Sequence, residues 1–148
     1  MSLVKVNSFL LILVSLLAVL QESSTASLPT KAGKITILPK VTVDIINNLP
    51  LPTLLTIHCK SKDDDLGIHV VQPLQRYSFQ FRVNLFGSTL FFCGASWQGG
   101  HVEFDIFNAK RDNDRCDTYC MWEAREDAMV GFRQDNDINE DISFPWKH

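Results

Sequence analysis

The sequence YSFQFRV at residues 77–83 decides the fold class, because aromatic or branched side chains alternate with polar ones along its whole length. An apolar residue at every second position is the period of a β-strand that has one face in a core and the other in solvent. A helix would need a period of about 3.6 residues, and no segment of the chain keeps that period over three turns. The segment is therefore predicted to be a half-buried strand.

Other short apolar segments extend this prediction to the rest of the chain, and turn-forming residues separate them. Strands are predicted at residues 34–38, 41–46, 53–59, 68–71, 77–83, 88–93 and 101–107, and residues 117–122 are predicted to lead into a last strand. Phe107 interrupts the alternation of its strand, and residues 94–100 are predicted to form a loop. Many short strands joined by turns predict an all-β protein, specifically a small antiparallel β-sandwich.

The first residues have the features of a secretory signal peptide. Lys5 supplies the positive charge, residues 9–20 are apolar, and Ser24 to Ala26 offer small residues for cleavage. The apolar run is shorter than the roughly 20 residues that a membrane-spanning helix needs. We therefore predict a secreted, extracellular protein that is not inserted in a membrane after signal cleavage.

The remaining length suits one domain with its own core. The division that we predict is a signal peptide at residues 1–26, an N-terminal arm at 27–40, one domain at 41–134 and an acidic C-terminal tail at 135–148. The net charge of −3 is unlike the basic footprint of a nucleic-acid-binding protein, so no nucleic-acid partner is expected.

Four cysteines follow the signal: Cys59, Cys93, Cys116 and Cys120. An even number of cysteines in a secreted chain predicts two disulfides rather than catalytic thiols. Three pairings are compatible with the sequence. We favour two long-range bridges, because a bridge between Cys116 and Cys120 closes a short loop and restricts the unfolded chain less.

Charged loops are the candidate binding surface. The densest charges, KSKDDD at residues 60–65, directly follow Cys59, so the cysteine is expected to pin a solvated loop to the sheet. A second charged connection lies at residues 110–115. The candidate binding residues are Lys60, Lys62, Asp63, Asp64, Asp65, Trp97, Lys110 and Arg111.

No metal or cofactor site is predicted. Residues 135–141 place a carboxylate or amide at every second position, as at the start of a calcium-binding EF-hand loop. Glu140 stands where that loop needs glycine, and Trp146 stands where it needs a bidentate glutamate. The carboxylates at residues 63–65 diverge along an extended loop beside compensating lysines, so they do not predict a cation site either.

An enzyme is not expected, although a secreted hydrolase of the ribonuclease type is kept as the alternative. Such an enzyme would use a histidine as general acid or base, and His58 and His101 are the candidates. Each lies at the end of a predicted strand, where a structural hydrogen bond is the simpler role. Trp97 and Trp122 lie near cysteines and are predicted to pack against the disulfides in the core.

Four ordered motifs resemble the plant self-incompatibility protein S1 family, also called S-protein homologues. They are HCKSKDDDLG at residues 58–67, FRVNLFGSTLFFC at 81–93 with the following Trp97, FDIF at 104–107, and RC at 115–116 with CMW at 120–122. The resemblance covers about residues 41–132. It departs from the family pattern at Gln80, where members usually carry an aromatic residue, at Ala128, where glycine is usual, and at the turn 50–52.

The resemblance implies a small secreted plant protein with a β-sandwich fold, two disulfides, no known enzymatic activity and no cofactor. The founding members of the family are ligands secreted by the stigma that inhibit incompatible pollen through a membrane protein on the pollen surface. By this resemblance the chain is expected to be a monomeric ligand that binds a cell-surface membrane protein through its loops.

The charged turn matches the family best, and this has a consequence for specificity. A turn typical of a whole family is expected to be held by its own Lys–Asp and Asp–backbone bonds. Partner specificity is therefore expected in less typical loops at residues 49–52, 94–100 and 110–115.

Overall fold

The computed structural model describes Leu38 and residues 40–148, apart from the side chains of residues 136–139. The predicted signal peptide, most of the arm and most of the predicted strand at 34–38 lie outside these residues. Within them the chain forms nine strands and one short helix. Their bounds are β1 Lys40–Asn47, β2 Leu55–Lys60, β3 Asp65–Val71, β4 Arg76–Arg82, β5 Leu90–Trp97, β6 Gly100–Asn108, α1 Ala109–Asp112, β7 Tyr119–Ala124, β8 Ala128–Arg133 and β9 Asn136–Pro145.

The strands form two sheets, which confirms the predicted all-β class. One sheet has the order β4-β1-β7-β8-β9 and the other has the order β3-β2-β5-β6. Neighbouring strands are antiparallel except for β1 and β7, which are parallel. One buried apolar cluster contains residues of both sheets, such as Val43 of β1 and Ile57 of β2, so the arrangement is a sandwich.

Strand β4 contains the alternating sequence YSFQFR and lies at one edge of its sheet. Its aromatic side chains reach across to the other sheet. The ring of Phe81 lies 4.5 Å from the ring of Phe91 and 4.8 Å from that of Phe107, measured between centroids. The ring of Tyr77 stacks on His69 of β3 at 3.9 Å. The alternation therefore identified the core-facing side chains correctly.

A β-bulge explains why Phe107 interrupts the alternation of its strand. Phe91 pairs with Phe107, but the next residue, Phe92, pairs with Asp105, so Ile106 has no partner across the ladder. An extra residue in one strand turns the following side chains to the other face. Ile106 and Phe107 are consequently both fully buried, although they are adjacent in sequence.

The expectation of two long-range disulfides is wrong for one of the two bridges. Cys59 and Cys93 are register partners on β2 and β5, 34 residues apart in sequence, with a Cα–Cα distance of 4.1 Å. Cys116 bonds instead to Cys120, only 4 residues away. A long loop constrains the unfolded chain more, but a bridge forms only where the fold brings two Cα atoms within about 7 Å.

The last part of the chain differs most from the predicted division. The segment 117–122 is not the final strand, because β8 and β9 follow it in the same sheet. Residues expected to form an acidic tail supply the edge strand β9, and His101 exchanges two backbone hydrogen bonds with Lys147 just beyond it. Strand β5 also runs through Trp97, so the predicted loop 94–100 is reduced to a turn at residues 98–99.

Candidate functional site

Four connections meet at one end of the sandwich, which we call the loop end. They are residues 61–64, 83–89, 113–118 and 134–135. A recess of about 530 Å³ is lined by the first two connections, and one of about 300 Å³ lies between the second and the third. A third recess, also of about 300 Å³, is lined by residues of the third and fourth connections. The fold thus joins loops that are far apart in sequence into one surface.

The turn at residues 61–64 is held by its own hydrogen bonds. The Ser61 hydroxyl accepts from the backbone N–H of Asp63 at 3.3 Å and of Asp64 at 3.0 Å. The Ser61 N–H donates to the Asp64 carbonyl at 2.8 Å. A serine side chain that accepts from the following backbone amides is a common way to fix a tight turn. These serine bonds add to the Lys–Asp and Asp–backbone bonds that the sequence predicts, which lie at the base of the turn.

Asp65 fixes the base of the same turn. Its carboxylate pairs with His58 at 2.5 Å, accepts from the Gly67 N–H at 2.9 Å and lies 3.1 Å from the Lys60 ammonium. The hydrogen bond with His58, followed by those from Gly67 and Lys60, holds the pKa of Asp65 well below its ordinary value of 3.8. Lys60 and Asp65 therefore serve the turn itself.

The charged residues that the turn presents to solvent are Lys62, Asp63 and Asp64, all of which are exposed. Of the predicted binding residues, these three lie at the loop end with their side chains directed away from the core. Lys110 is also exposed, in helix α1, which directly follows the end of β6 near this surface.

Segment 110–115 is far less exposed than its sequence predicts. Asp112 is completely buried and accepts from the Asn108 N–H at 2.7 Å and from the Arg111 guanidinium at 2.7 and 2.9 Å. Arg111, predicted as a binding residue, also donates to the Asp105 carbonyl at 2.8 Å. Its guanidinium is therefore committed to holding the connection between β6 and β7.

Arg115 forms the centre of a buried ionic cluster that the sequence did not reveal. Its Nε lies 2.8 Å from both carboxylate oxygens of Asp141, and its Nη1 lies 3.3 Å from Asp112. The guanidinium lies over the ring of Trp122, 5.2 Å from the centroid. Asp141 belongs to the acidic segment 135–141, which was compared above with a calcium-binding loop, and its carboxylate binds the Arg115 guanidinium. The pairing of β8 with β9 brings Asp141 next to Arg115.

The two tryptophans predicted to pack in the core differ in position. Trp122 is fully buried among Phe104, at 5.3 Å, and Phe144, at 6.0 Å. Trp97 is half-buried and contacts Trp146 edge to face at 6.1 Å. Because Trp97 pairs with Gly100 at the turn between β5 and β6, it lies at the end of the sandwich opposite the loop end.

The histidines considered for catalysis lie on the outer face of the four-stranded sheet. His58 of β2 is paired with Gly94 of β5, and His101 of β6 is paired with Ser96 of β5. One strand and an offset of two residues along it separate them, which places their backbones about 12 Å apart. The imidazole of His58 is hydrogen-bonded to Asp65. Both histidines line one recess of about 260 Å³ on this face.

The carboxylate of Asp44 is also buried, and its hydrogen bonds connect three strands of one sheet. Asp44 of β1 accepts hydrogen bonds from Arg76 at 2.9 Å, Ser78 at 2.5 Å and Tyr119 at 2.9 Å. Burial opposes its ionisation, but these three hydrogen bonds outweigh that effect and lower the pKa of Asp44. The register between β1, β4 and β7 creates this cluster, and no local pattern in the sequence predicts it.

Among the side chains that the structure describes, those of Leu38, residues 40–135 and residues 140–148, no group of three or more histidine, cysteine, aspartate or glutamate residues is arranged to hold a metal ion. No helix in this part of the chain has the length and apolar character needed to cross a membrane.

Together these features define a class: a small β-sandwich with two disulfides, in which several charged clusters stabilise the fold and recesses separate the four connections at one end. Residues 42–146 match the family described as plant self-incompatibility protein S1, and the chain belongs to this family. The match extends past residue 132 and includes β9, so the last strand is part of the family domain rather than a tail.

Relatives from two plants agree with this assignment. S-protein homolog 5 of Arabidopsis thaliana is 45% identical over 108 residues, covering 73% of this chain and 80% of the relative. S-protein homolog 2 of the same plant is 37% identical over 122 residues, covering 80% of this chain and 75% of the relative. Self-incompatibility protein S1 of Papaver rhoeas is 36% identical over 102 residues, covering 68% of this chain and 73% of the relative.

A solved structure shares the fold. It belongs to SPH (Self-Incompatibility Protein Homologue) proteins and aligns with a TM-score of 0.54 at 16% identity, covering 75% of this chain and 93% of that one. That family is described as small, highly stable, secreted proteins from plants. The secreted, extracellular location predicted from the signal sequence agrees with this description.

Proposed function

We propose that this protein is a monomeric, non-enzymatic ligand that is secreted by a plant and binds a protein on a cell surface through its loop end. The observation that carries the proposal is that three recesses of about 300 to 530 Å³ lie between the four connections at the loop end. The similarity to a protein named for self-incompatibility in Papaver rhoeas supports pollen–pistil recognition, or a related cell–cell contact, as the setting.

The turn at residues 61–64 supports binding because it is ordered before any partner arrives. Its backbone is fixed by the Ser61 hydroxyl, and its base is fixed by Asp65. A surface that is already ordered loses less conformational entropy when it binds. Exposed charges on such a surface govern the association rate more than the total affinity.

Charge reversal on this turn tests the proposal. Purified secreted protein carrying Lys62→Glu, Asp63→Lys and Asp64→Lys should bind plant cell surfaces about tenfold more weakly than the unaltered protein, mainly through slower association. Labelled protein on protoplasts from pollen, root and leaf gives the measurement. Glu126→Lys is the matched control, because it changes the net charge by the same amount as the loop-end variant and Glu126 is exposed in the turn between β7 and β8 at the opposite end.

Two results would contradict the proposal. Binding that is equal for the loop-end variant and the control would remove the loop end from recognition. Hydrolysis of RNA by the purified protein, lost in His58→Ala or His101→Ala, would replace the ligand with the secreted hydrolase considered above.

A further inference from the structure

Strand β3 lies at an edge of the four-stranded sheet, and its middle presents apolar side chains to solvent. Ile68 is 68% exposed and Val70 is 55% exposed, whereas His69 between them faces inward and stacks on Tyr77. Residues 66–71, LGIHVV, contain no proline, lysine, arginine or acidic residue. Proteins commonly protect an edge strand with such residues, because its unpaired backbone groups can pair with another extended chain. Strand β3 lacks this protection from residue 66 onward.

The three other sheet edges that the structure describes are protected. Strand β4 carries the exposed Arg76 and Arg82. Strand β9 carries the exposed Glu140 and pairs irregularly with β8. Strand β6 is covered at His101, which exchanges two backbone hydrogen bonds with Lys147. Charges, irregular pairing and a covering segment all hinder the addition of a further strand. Strand β3 is therefore the edge best suited to accept one.

The hydrogen-bond pattern of the sheet shows where the backbone groups of β3 point. In an antiparallel ladder, alternate residues direct both N–H and C=O toward the same neighbouring strand. His101 directs both away from β5, so its register partner Ser96 directs its own toward Thr56 of β2. Thr56 in turn bonds toward β5, and its other register partner is Val70. Val70, and Ile68 two residues earlier, therefore direct N–H and C=O to the open edge.

The positions of Cys59 and Cys93 agree with this alternation. Cys59 lies three residues after Thr56 on β2, so its pair with Cys93 should exchange no backbone hydrogen bonds. Cα atoms in such a pair lie about 4.5 Å apart, against about 5.5 Å in a hydrogen-bonded pair. The observed separation is 4.1 Å. The direction assigned to the backbone of β2, and through it to that of β3, is consistent with this distance.

We infer that the partner protein adds an extended segment to the edge of β3 and pairs with the backbone of Ile68 and Val70. This inference rests on the proposed function and specifies one contact of it. Donors and acceptors that repeat at every second residue along an edge are matched by another extended backbone. The exposed side chains of Ile68 and Val70 pack against apolar side chains on the same face of the added segment.

The position of β3 connects this edge to the loop end. Strand β3 begins at Asp65, which fixes the base of the turn at residues 61–64. A segment that pairs along β3 therefore continues directly to that turn. One partner can thus contact the edge and the loop end together.

Lysine substitution at the edge tests the inference. Val70→Lys, with Ile68→Lys as a second variant, places a charge beside the added segment, as protected edges do. The apparent Kd of the secreted protein for protoplasts should rise about tenfold for either variant. Ser96→Lys is the control and should stay within about twofold, because Ser96 is exposed in the same row of the same face but two strands from the edge. All three variants should keep the urea denaturation midpoint, because the replaced side chains are exposed.

Amide hydrogen exchange followed by NMR tests the direction of the backbone groups. In the free protein, the amides of Ile68 and Val70 should exchange faster than that of His69, whose N–H points to β2. When the protein is bound to plasma-membrane vesicles from the protoplasts, exchange at Ile68 and Val70 should slow about tenfold. Slow exchange of these two amides in the free protein would overturn the assignment of an open edge.

Four binding results would contradict the inference. Equal protoplast binding by Val70→Lys, Ile68→Lys and the unaltered protein would remove the edge from recognition and leave the proposed function intact. A Kd raised as much by Ser96→Lys as by Val70→Lys would assign binding to the sheet face. Sedimentation of the unaltered protein as a dimer that Val70→Lys dissociates would make a second copy of this chain the added strand. Absence of any cell-surface binding by the unaltered protein would overturn both the inference and the proposed function.

Discussion

The two charged segments of this protein look alike in sequence but differ in structure. KSKDDD at residues 60–65 follows one half-cystine, and KRDNDR at residues 110–115 precedes another. In the first segment the charges are exposed, and the ion pairs join residues within 7 positions of each other. In the second segment Asp112 and Arg115 are buried, and Arg115 binds Asp141, which is 26 positions away.

The difference shows that a charged sequence is exposed by default and buried only when the fold supplies partners. Burying an unpaired charge is costly, so a buried guanidinium needs carboxylates aligned around it. Strand β9 brings Asp141 to Arg115, and helix α1 brings Asp112. Residues 60–65 have no such long-range carboxylates or cations among the contacts described, and they remain a surface turn.

Among the replacements that test this difference between the two segments, that of Arg115 should lower the free energy of unfolding most. Arg115→Met keeps a long side chain over Trp122 but leaves Asp141 without its guanidinium and Asp112 with that of Arg111 alone. Removing one partner of a buried ionic cluster typically costs about 3–5 kcal/mol in the free energy of unfolding. Urea denaturation at neutral pH gives the measurement.

The matched replacement in the other segment is Lys62→Met, which should leave the denaturation midpoint unchanged because the side chain is exposed. Equal midpoints for Arg115→Met and Lys62→Met would show that the buried cluster does not stabilise the fold and would remove the distinction between the two segments.

A smaller effect is expected at Gly131, which lies against the buried cluster. A β-carbon at this position would overlap the Arg115 guanidinium and the side chains of Ile142 and Trp122. Gly131→Ala should therefore lower the free energy of unfolding by about 1–3 kcal/mol through overpacking. Gly94→Ala is the control, since a β-carbon there meets no atom within 4 Å. If Gly131→Ala and Gly94→Ala had the same stability, the packing around Arg115 would be looser than described.

The smallest expected effect is a change with pH in the stability that Asp65 gives to the exposed turn, and it is confined to acidic pH. Because hydrogen bonding to His58, Gly67 and Lys60 lowers the pKa of Asp65 below 3.8, the ionised carboxylate stabilises the folded protein above that pH. The stabilisation should be lost as the pH falls further, toward the lowered pKa. The difference in unfolding free energy between the unaltered protein and Asp65→Asn should therefore shrink below about pH 4. A difference that stays constant from neutral pH to about pH 2 would exclude this role of Asp65.

Much of the architecture could be predicted from local patterns. The alternation at residues 77–83 and the match of β1, β2 and β6 to predicted segments follow from side chains that respond to their nearest surroundings. Strand β9 was missed because its sequence, NDINED at the start, is polar and its pairing with β8 supplies the stability. The end of β5 was missed because its outward residues, Gly94 and Ser96, read as loop residues.

In the candidate site, too, contacts within a few residues could be predicted from the sequence, and contacts between distant elements could not. The turn at residues 61–64 is predicted to be held by Lys–Asp and Asp–backbone bonds, and Asp65 makes both at its base, whereas the hydrogen bonds of Ser61 are not predicted. The roles of Arg111 and Arg115 were not expected, because the atoms that they bind belong to other elements. The sequence places Phe86 in the turn between the predicted strands 77–83 and 88–93, but only the fold shows how exposed its side chain is.

The sequence by itself determined the class of this protein: a secretory signal, alternating strands, two disulfides and the motifs of its family. These depend on composition and on spacing over a few residues, which the chain carries with it in any conformation. Tertiary structure alone decided which cysteines pair, which charges are buried and which loops share a surface. Each of those outcomes depends on distances between residues far apart in the chain, and only the register of the two sheets fixes such distances.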